Sequence, residues 1–364
     1  MRVSAWLVLV AFPLAAQSTN PMNSILVKDW APDSSLVVPE THLPKARFGA
    51  IDVHMHLYRK TPEEIAAWVR LMDETGVRTS IILSEATGAE FDRLVELFLK
   101  PYPGRFQLWC GLDIRDFENP DYPRRAAAEL ERCYRRGARG VGELSDKGWG
   151  IMGGMAATET DKILKLPRGR RLHPDDPRLD LFWDQCAKLK LPVNLHIADH
   201  PSAWRSPDNH QERGPGSFRW NQYGKDVPSY EELLAARDRL LERHPRTTFI
   251  ACHFSNQGND LAALSRVMDR FPNLYLDISA RAYEFGRQPR MAARFMTKYK
   301  DRLLFGTDSE PSQAMYLSWW RVLESADEYI RGPLWWRLYG LELPAPVLEA
   351  VYRGTAMRIL NWRP

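Results

Sequence analysis

Short apolar runs alternate with longer amphipathic segments along most of the chain. The runs are rich in β-branched side chains and are bounded by polar or turn-forming residues, a pattern typical of buried strands. We predict eight of them, at residues 48–56, 79–83, 106–113, 140–144, 192–196, 248–253, 274–279 and 303–308.

In the intervening segments, apolar residues recur at three- and four-residue spacing, as expected for helices that cover a sheet. They are residues 61–75, 90–99, 122–136, 179–189, 230–243, 260–270, 291–300 and 346–360. Thr61 and Ser229 are suitable N-caps, since each precedes a pair of glutamates at a helix start. Eightfold strand–helix alternation predicts a parallel sheet closed into a (β/α)₈ TIM barrel.

A doubly wound open sheet is the alternative fold, but the first strand is not followed by a G-x-G-x-x-G motif and the chain lacks a P-loop. We therefore predict one barrel domain at residues 48–364, after an N-terminal extension at 17–47. The stretches 145–178 and 197–228 are too long for simple turns. Because loops after barrel strands gather at the catalytic face, we expect them to act as lids and specificity elements.

The composition is that of a folded, water-soluble protein, with 44% hydrophobic and 26% charged residues. A net charge of +4 is too small to suggest a nucleic-acid partner. Residues 1–16 resemble a secretory signal peptide with cleavage near Ala16, which predicts a secreted or periplasmic protein without a membrane segment after cleavage. A buried N-terminal helix is the alternative. The four cysteines are widely spaced and predict burial, without a disulfide framework or a zinc–cysteine site.

Six ionisable residues lie at the carboxyl ends of predicted strands. His54 and His56 are two apart, so on a strand their side chains share one face. Any one of the six could be satisfied by a local hydrogen bond, but six such groups at one barrel mouth favour a divalent cation. The set is His54, His56, Glu143, His196, His253 and Asp308. By contrast, His42, His173 and His244 lie in predicted loops or near a helix end and are interpreted as solvated surface residues.

In this order, the motifs resemble those of the amidohydrolase superfamily, in particular its amidohydrolase-2 branch. Residues 351–360 also resemble the final helix of that family. The resemblance implies that His54, His56, His196 and Asp308 hold a divalent metal, which we expect to be Zn²⁺. It implies that His253 binds a second metal or acts on the substrate. Glu143 would either bridge two ions, as in TatD-type enzymes, or support the ligands from outside. One or two ions are therefore expected.

Two reactions fit this constellation. In hydrolysis of an amide, ester or lactone, a metal-activated water attacks, Asp308 shuttles its proton, and the metal or His253 polarises the carbonyl. The alternative is metal-dependent decarboxylation, as in some amidohydrolase-2 relatives. Secretion would favour hydrolysis, since decarboxylation suits an intermediate made inside the cell. A non-catalytic metal-binding barrel is a remote third interpretation.

The expected partner is a small-molecule substrate. Arg281 and Arg115 follow predicted strands and could bind a substrate carboxylate, although ion pairs at the rim are an equal alternative. His200 and Trp149 lie in the long loops and could line a pocket, or could simply pack there. The family resemblance suggests a homodimer.

Overall fold

The computed structural model describes residues 20–26, 29–30, 33–152, 164–208, 212, 220–332 and 336–360. The predicted signal peptide lies outside these residues. The chain divides into two compact units, residues 1–38 and 39–364. In the first, a turn of 3₁₀ helix spans Pro21–Ser24, and the side chain of Asn20 accepts a hydrogen bond from the backbone N–H of Met22.

The second unit contains eight parallel strands in chain order. They are β1 (Ala50–Met55), β2 (Val77–Leu83), β3 (Phe106–Trp109), β4 (Val141–Asp146), β5 (Val193–Ile197), β6 (Phe249–Ala251), β7 (Leu274–Asp277) and β8 (Leu303–Leu304). Ladder pairing gives one sheet of β1–β3 and another of β4–β8.

Backbone hydrogen bonds join these two sheets at both seams. The N–H of Val53 donates to the carbonyl of Phe305 at 2.9 Å, which connects β1 to the chain just after β8. At the other seam, the N–H of Cys110 donates to Gly140 at 3.0 Å, and the N–H of Gly142 donates back to Cys110 at 2.9 Å. These bonds complete a ring of eight strands. The predicted TIM barrel is confirmed.

Helices follow the strands and cover the ring. They are α1 (Pro62–Thr75), α2 (Gly88–Leu94), α3 (Tyr122–Arg136), α4 (Asp180–Leu189), α5 (Tyr230–Arg243), α6 (Leu261–Arg270), α7 (Ala282–Phe285), α8 (Pro289–Tyr299), α9 (Gln313–Glu324), α10 (Ala345–Glu349) and α11 (Thr355–Ile359). π-helical turns at Val95–Leu99 and Ala350–Gly354 extend α2 and join α10 to α11. Thr61 and Ser229 form capping boxes with the glutamates three residues later, as predicted.

The region between β8 and α10 differs from the prediction. Helix α9 was missed there, and so was a small antiparallel hairpin of β9 (Ile330–Arg331) and β10 (Arg337–Leu338). Trp319 and Trp320 lie in α9, with 5% and 0% of their surface exposed, and Trp320 stacks on Tyr316. Tyr316, Trp319 and Trp320 are therefore part of the core, whereas Trp336, beside β10, is exposed. Within the described part of the chain, no helix is both long and apolar enough to cross a bilayer.

The four cysteines, Cys110, Cys133, Cys186 and Cys252, are buried and carry free thiols, which confirms the prediction of burial without disulfides.

Candidate metal centre

Five strands deliver the six predicted side chains to one end of the barrel. His54 lies in β1 and His56 follows its end, while His196 lies in β5. His253 follows β6, and Asp308 lies four residues beyond β8. The prediction that β4 ends near Glu143 was wrong: this strand continues to Asp146, so Glu143 enters the cavity from inside the strand.

Glycine is needed beside Glu143. The φ angle of Gly142 is +144°, and a Cβ atom at this position would lie 2.7 Å from Cβ of Asn194 on the neighbouring strand. Only glycine fits there, because Cβ of Asn194 is bonded directly to its backbone and cannot move aside. The close approach of β4 and β5 places Glu143 against His196, and the Nδ1 atom of His196 contacts Oε1 of Glu143.

The other nitrogen and oxygen atoms converge on the same space. Nε2 of His56 lies 3.3 Å from Oδ1 of Asp308 and 3.4 Å from Oε2 of Glu143. Nε2 of His54 lies 3.8 Å from each of those two oxygens. Nε2 of His253 lies 3.7 Å from Oδ2 of Asp308 and 3.8 Å from Oε1 of Glu143. The two carboxylates therefore face three imidazoles across a gap that suits a bound cation.

Two of the imidazoles have a nitrogen that the protein leaves unsatisfied. Nε2 of His54 and Nε2 of His196 are buried and have no hydrogen-bond partner among the described residues. A buried polar atom without a partner is costly, and imidazole nitrogen is a preferred ligand of zinc and other transition metals. The residues therefore fit a divalent metal.

A second layer of polar groups orients the histidines. Nδ1 of His54 lies 2.9 Å from Oδ2 of the fully buried Asp277, which holds the proton on Nδ1 and turns Nε2 toward the cavity. Asp277 also accepts hydrogen bonds from the backbone N–H of His253 at 3.0 Å and from the amide of Asn194 at 3.1 Å. Such an anchor is typical of metal-binding histidines.

Sequence reasoning missed Asp277 and its neighbour Ser279. The hydroxyl of Ser279 donates to Oδ1 of Asp277 at 2.5 Å, and its carbonyl accepts from Nδ1 of His253 at 2.9 Å. Both residues follow the apolar part of a predicted strand and are two apart. The criterion applied to the other strand ends, an ionisable residue at the end of an apolar run, would have identified Asp277 but not the uncharged Ser279.

The backbone after β6 sets the direction of His253. Residues 253–256 are His253, Phe254, Ser255 and Asn256, with φ angles of 58°, 52°, 54° and 53°. Non-glycine residues rarely adopt this left-handed conformation, and four in succession form a tight turn. The amide of Asn256 holds the turn by donating to the carbonyl of Ile197 at 3.1 Å.

The electrostatics keep the carboxylates charged. Burial alone would raise the pKa of Asp308, but the nearby His54 and His56 lower it to about 2. Burial likewise opposes ionisation of Glu143, yet the adjacent His196 brings its pKa well below the usual value. Burial, reinforced by the neighbouring His196, lowers the pKa of His253 to about 3. Burial lowers the pKa of His56, but hydrogen bonds with Asp308 and Glu143 outweigh it and raise that pKa to about 9, so a metal that binds here would displace a proton from this imidazole.

Two further residues lie within ligand distance of this cluster. Three overlapping groups have ligand atoms within 4.8 Å of one another: His54, Glu143, Cys252 and His253; His54, His56 and Asp308; and His56, Glu85 and Glu143. Glu85, just after β2, was not considered from the sequence. Cys252 was assigned to the core, and its Sγ atom lies 2.7 Å from Oδ1 of Asn194.

The two arginines proposed for substrate binding occupy different environments. Arg281 is 2% exposed, and its guanidinium donates to Asn256 and to the carbonyl of Ala280. The side chain of Arg115 is 62% exposed and forms a bidentate salt bridge with Asp113 at 2.5 and 2.8 Å. Arg281 thus belongs to a buried network near the centre, whereas Arg115 belongs to a rim ion pair.

His200 and Trp149 pack within the long loops. His200 is buried, and its Nδ1 lies 2.8 Å from the hydroxyl of Ser202. The indole of Trp149 donates to Oε1 of Gln222 at 3.2 Å, and the guanidinium carbon of Arg171 lies 4.4 Å above its ring.

The prediction that His173 and His244 are solvated was wrong. Nδ1 of His173 lies 2.7 Å from Oδ2 of the buried Asp146. His244 is 5% exposed and lies between Asp180 and Asp184. His42 is exposed, as predicted. His173 and His244 are not solvated because each pairs with carboxylates that are distant in the sequence, and the local pattern could not reveal these contacts.

Comparison with known proteins gives a family and a fold. A family model described as "Amidohydrolase" matches residues 51–362. No curated protein sequence matches the chain.

Several solved structures share the fold at low sequence identity. A dihydroxybenzoic acid decarboxylase from Polaromonas sp. JS666, with bound manganese and 2-nitroresorcinol, has 18% identity and a TM-score of 0.53, covering 86% of this chain and 97% of that one. A TIM-barrel protein from Bordetella bronchiseptica has 16% identity and a TM-score of 0.52, covering 86% and 98%. The 2,6-dihydroxybenzoate decarboxylase from Rhizobium has 18% identity and a TM-score of 0.50, covering 86% of this chain and 99% of that one. At these identities, the likeness is one of fold.

Proposed function

The chain belongs to the amidohydrolase family, and from that premise we propose that it is a metal-dependent hydrolase that cleaves an amide, ester or lactone bond of a small molecule. One observation carries the proposal. The buried Nε2 atoms of His54 and His196 have no hydrogen-bond partner among the described residues, and they lie near the anionic carboxylates of Glu143 and Asp308. A divalent cation would satisfy all of these groups at once.

His54, His56, His196 and Asp308 are the proposed ligands of the first ion, with Zn²⁺ as the expected metal. Glu143 has its two oxygens toward different imidazoles, and His253 faces both carboxylates. These two residues could complete a second site or support the first. When bound, the metal would lower the pKa of a coordinated water and polarise the scissile carbonyl.

Asp308 is the proposed proton carrier. Its side chain is 28% exposed at the mouth, so one face remains open to substrate. It is held between Nε2 of His56 and Nε2 of His253, and the hydroxyl of Tyr58 lies 3.4 Å from Oδ1. From this position, the carboxylate would take a proton from the attacking water and return it to the leaving group. His253, neutral at ordinary pH, would orient the substrate carbonyl.

Decarboxylation is the second candidate reaction. It is favoured by the cationic side chain of Lys147, which follows β4 at the same end of the barrel and is one-fifth exposed. A cation there suits a substrate that carries a carboxylate. Two of the solved structures with the same fold are named as decarboxylases of dihydroxybenzoates, at 18% identity.

Metal loading tests the shared basis of both reactions. Protein stripped with a chelator and reloaded with Zn²⁺ or Mn²⁺ should retain one or two equivalents after desalting, by elemental analysis. His54→Asn should lose metal, whereas His42→Asn, at an exposed histidine, should not. Failure of the parent protein to retain any divalent metal under every loading condition would refute the proposal.

The reaction type is tested by product analysis. The loaded protein should be supplied with panels of amides, esters, lactones and aromatic acids, while acid release and CO₂ release are measured separately. Acid release without CO₂ supports hydrolysis, and CO₂ release supports decarboxylation instead.

A further inference from the structure

Residues 20–38, which we call the N-terminal arm, expose a concentration of large apolar side chains. Every described residue of the arm is exposed except Val38, which is partly buried. In the described part of the chain, thirteen large apolar side chains are exposed. Six of them lie in the arm: Met22, Ile25, Leu26, Trp30, Leu36 and Val37. Clustered apolar side chains of this kind mark an interaction surface.

The apolar surface of the arm is large enough for a protein interface. Burial of one such side chain removes on the order of 100 Å² of apolar surface from water. Six of them in each of two arms, together with the surfaces that they cover, reach the ~1,200–2,000 Å² that a specific interface buries. The arm therefore has the surface that a stable dimer needs.

The chain that follows the arm is fixed to the barrel. The backbone N–H and the hydroxyl of Thr41 donate to the two carboxylate oxygens of Asp327 at 2.8 and 2.6 Å. Arg321 of α9 donates to both Glu40 and Asp327, at 2.7 and 2.6 Å. Residues 33–40 contain no helix or strand. Because an extended chain of eight residues spans roughly 25 Å, the arm can reach a neighbouring molecule from this anchor.

An open cavity lies beside the anchor. Its volume is about 680 Å³, and Asp327 is one of its lining residues. Helix α8 lines another part of it with Arg290, Met291 and Arg294, which we call the α8 face. All three side chains are exposed, and among the described residues neither guanidinium has an ion-pair partner. The α8 face thus combines an apolar thioether with two unpaired cations.

The arm carries groups that complement the α8 face. Trp30 lies directly after Asp29 and three residues before Asp33, and neither carboxylate has an ion-pair partner among the described residues. Guanidinium groups bind carboxylates in bidentate fashion and also stack on indole rings. Glu328 and Glu342 line the cavity too and would repel the carboxylates of the arm, which limits the complementary surface to the α8 face.

A second copy of this chain is the occupant that these observations favour. Thr41 is already held beside the cavity of its own chain, so an arm that stays extended over residues 33–40 overshoots that cavity. Each chain has one arm and one α8 face, and a reciprocal exchange pairs all four surfaces in a closed twofold dimer.

We propose that the protein is a homodimer in which the arm of each chain packs on the α8 face of the other, with Trp30 as the central anchor. The inference goes beyond the proposed function and does not depend on it. The competing interpretations are an arm that packs on its own chain and an arm that packs on neither.

Dimerisation is measured by light scattering after size-exclusion chromatography over a range of concentrations. We expect the parent protein to be a dimer. Trp30→Ser should raise the dissociation constant of the dimer at least tenfold, because a central aromatic side chain carries much of the binding energy of an interface. Tyr134→Ser, at an exposed aromatic residue of α3, is the matched control and should dimerise like the parent.

Charge reversal tests the pairing of the two surfaces. Changing Asp29 and Asp33 to arginine should weaken the dimer at least tenfold, and so should changing Arg290 and Arg294 to aspartate, because each pair of changes opposes like charges. All four changes in one chain should restore most of the affinity. Arg266→Asp, at an exposed arginine of α6, is the control and should have no effect.

Cross-linking identifies the chain on which the arm packs. The four natural cysteines are buried, so introduced surface thiols are the accessible ones. Chains with Ser34→Cys are mixed with chains with Ala293→Cys, a change in the lining of the cavity, and are treated with a short bis-maleimide after subunit exchange. We expect a covalent dimer joined through residues 34 and 293. Leu181→Cys on α4, in place of Ala293→Cys, should give no such product.

A dimeric parent with the link between residues 34 and 293 of different chains supports the inference. A monomeric parent would show it to be wrong, as would a link that forms only when both cysteines are in one chain. A dimer that Trp30→Ser and both charge reversals leave unchanged would also overturn it, because that dimer would use another surface.

Discussion

Nδ1 of His54 and Oδ2 of Asp277 lie 2.9 Å apart, and neither side chain has any exposed surface. The carboxylate fixes both the tautomer and the rotation of the imidazole. The orientation of the candidate ligand is therefore set by a residue that does not face the cavity.

Asp277→Asn should weaken metal binding by about 10–100-fold, because the asparagine no longer stabilises the same tautomer of His54. The measurement is competition with a chromogenic chelator. Asp269→Asn, which removes an exposed partner of Lys298, is the control and should bind metal like the parent. Equal metal affinity in Asp277→Asn and the parent would show that the anchor is dispensable.

Asp308→Asn should reduce turnover by about 10²–10⁴-fold, since an amide cannot carry the proton. Metal content should fall much less. Turnover and metal stoichiometry are measured on one preparation, using a substrate found in the panel. If metal content and turnover fell in the same proportion, Asp308 would act only as a metal ligand and not as a proton carrier.

Gly142→Ala should destabilise the barrel by about 1–3 kcal/mol, because the added Cβ would meet Cβ of Asn194 at 2.7 Å and the backbone has a positive φ. Urea unfolding measures the change in the free energy of unfolding. Gly169→Ala is the control, since a Cβ there has nothing within 4 Å. Similar stabilities for the two variants would contradict the close strand approach.

His173 should make folding stability depend on pH. Burial opposes its protonation, but the hydrogen bond and charge of Asp146 outweigh burial and raise its pKa above the ordinary value of 6.5. The stabilisation is therefore complete below the unfolded pKa and is lost as the pH rises through the folded one.

His173→Gln should accordingly cost more stability at pH 5.5 than at pH 8.5, measured by urea unfolding at both values. The exposed His42→Gln is the control and should show no such difference. A larger cost at pH 8.5 than at pH 5.5 would reverse the sign and refute the pairing.

We also propose that residues 1–16 direct export. In a Gram-negative host, the periplasmic protein should begin at Gln17, as measured by intact mass. Leu9→Arg interrupts the apolar stretch and should keep the protein in the cytoplasm, whereas Leu36→Arg should not. Periplasmic protein with an intact N-terminus would contradict this proposal.

The sequence predicts the barrel well where periodicity is strong. The predicted helices at 122–136 and 230–243 match α3 and α5 at both ends, because amphipathic spacing and caps mark them locally. Strand lengths were less accurate. The run at 303–308 forms ladder pairs only at Leu303 and Leu304, since the chain then turns to place Asp308, with φ at 49°.

The candidate site was predicted in part, for a physical reason. His54, His56, His253 and Asp308 could be found because each follows or ends an apolar run. Contacts that depend on tertiary packing could not be read in this way. The pairing of His173 with Asp146 joins the end of β4 to a residue 27 positions later in the loop that follows this strand. Helix α9 is apolar on too many sides to show a clear stripe.

The left-handed turn at His253–Asn256 has a consequence for engineering. Each non-glycine residue in that conformation costs about 1–2 kcal/mol, and the surrounding bonds to Asn256 must offset the total. Randomised libraries that aim to change substrate preference should therefore spare these four codons and diversify the rim around Lys147 and Trp220. Many substitutions inside the turn would prevent folding, so a library that varied it would be screened for folding before it could be screened for substrate preference.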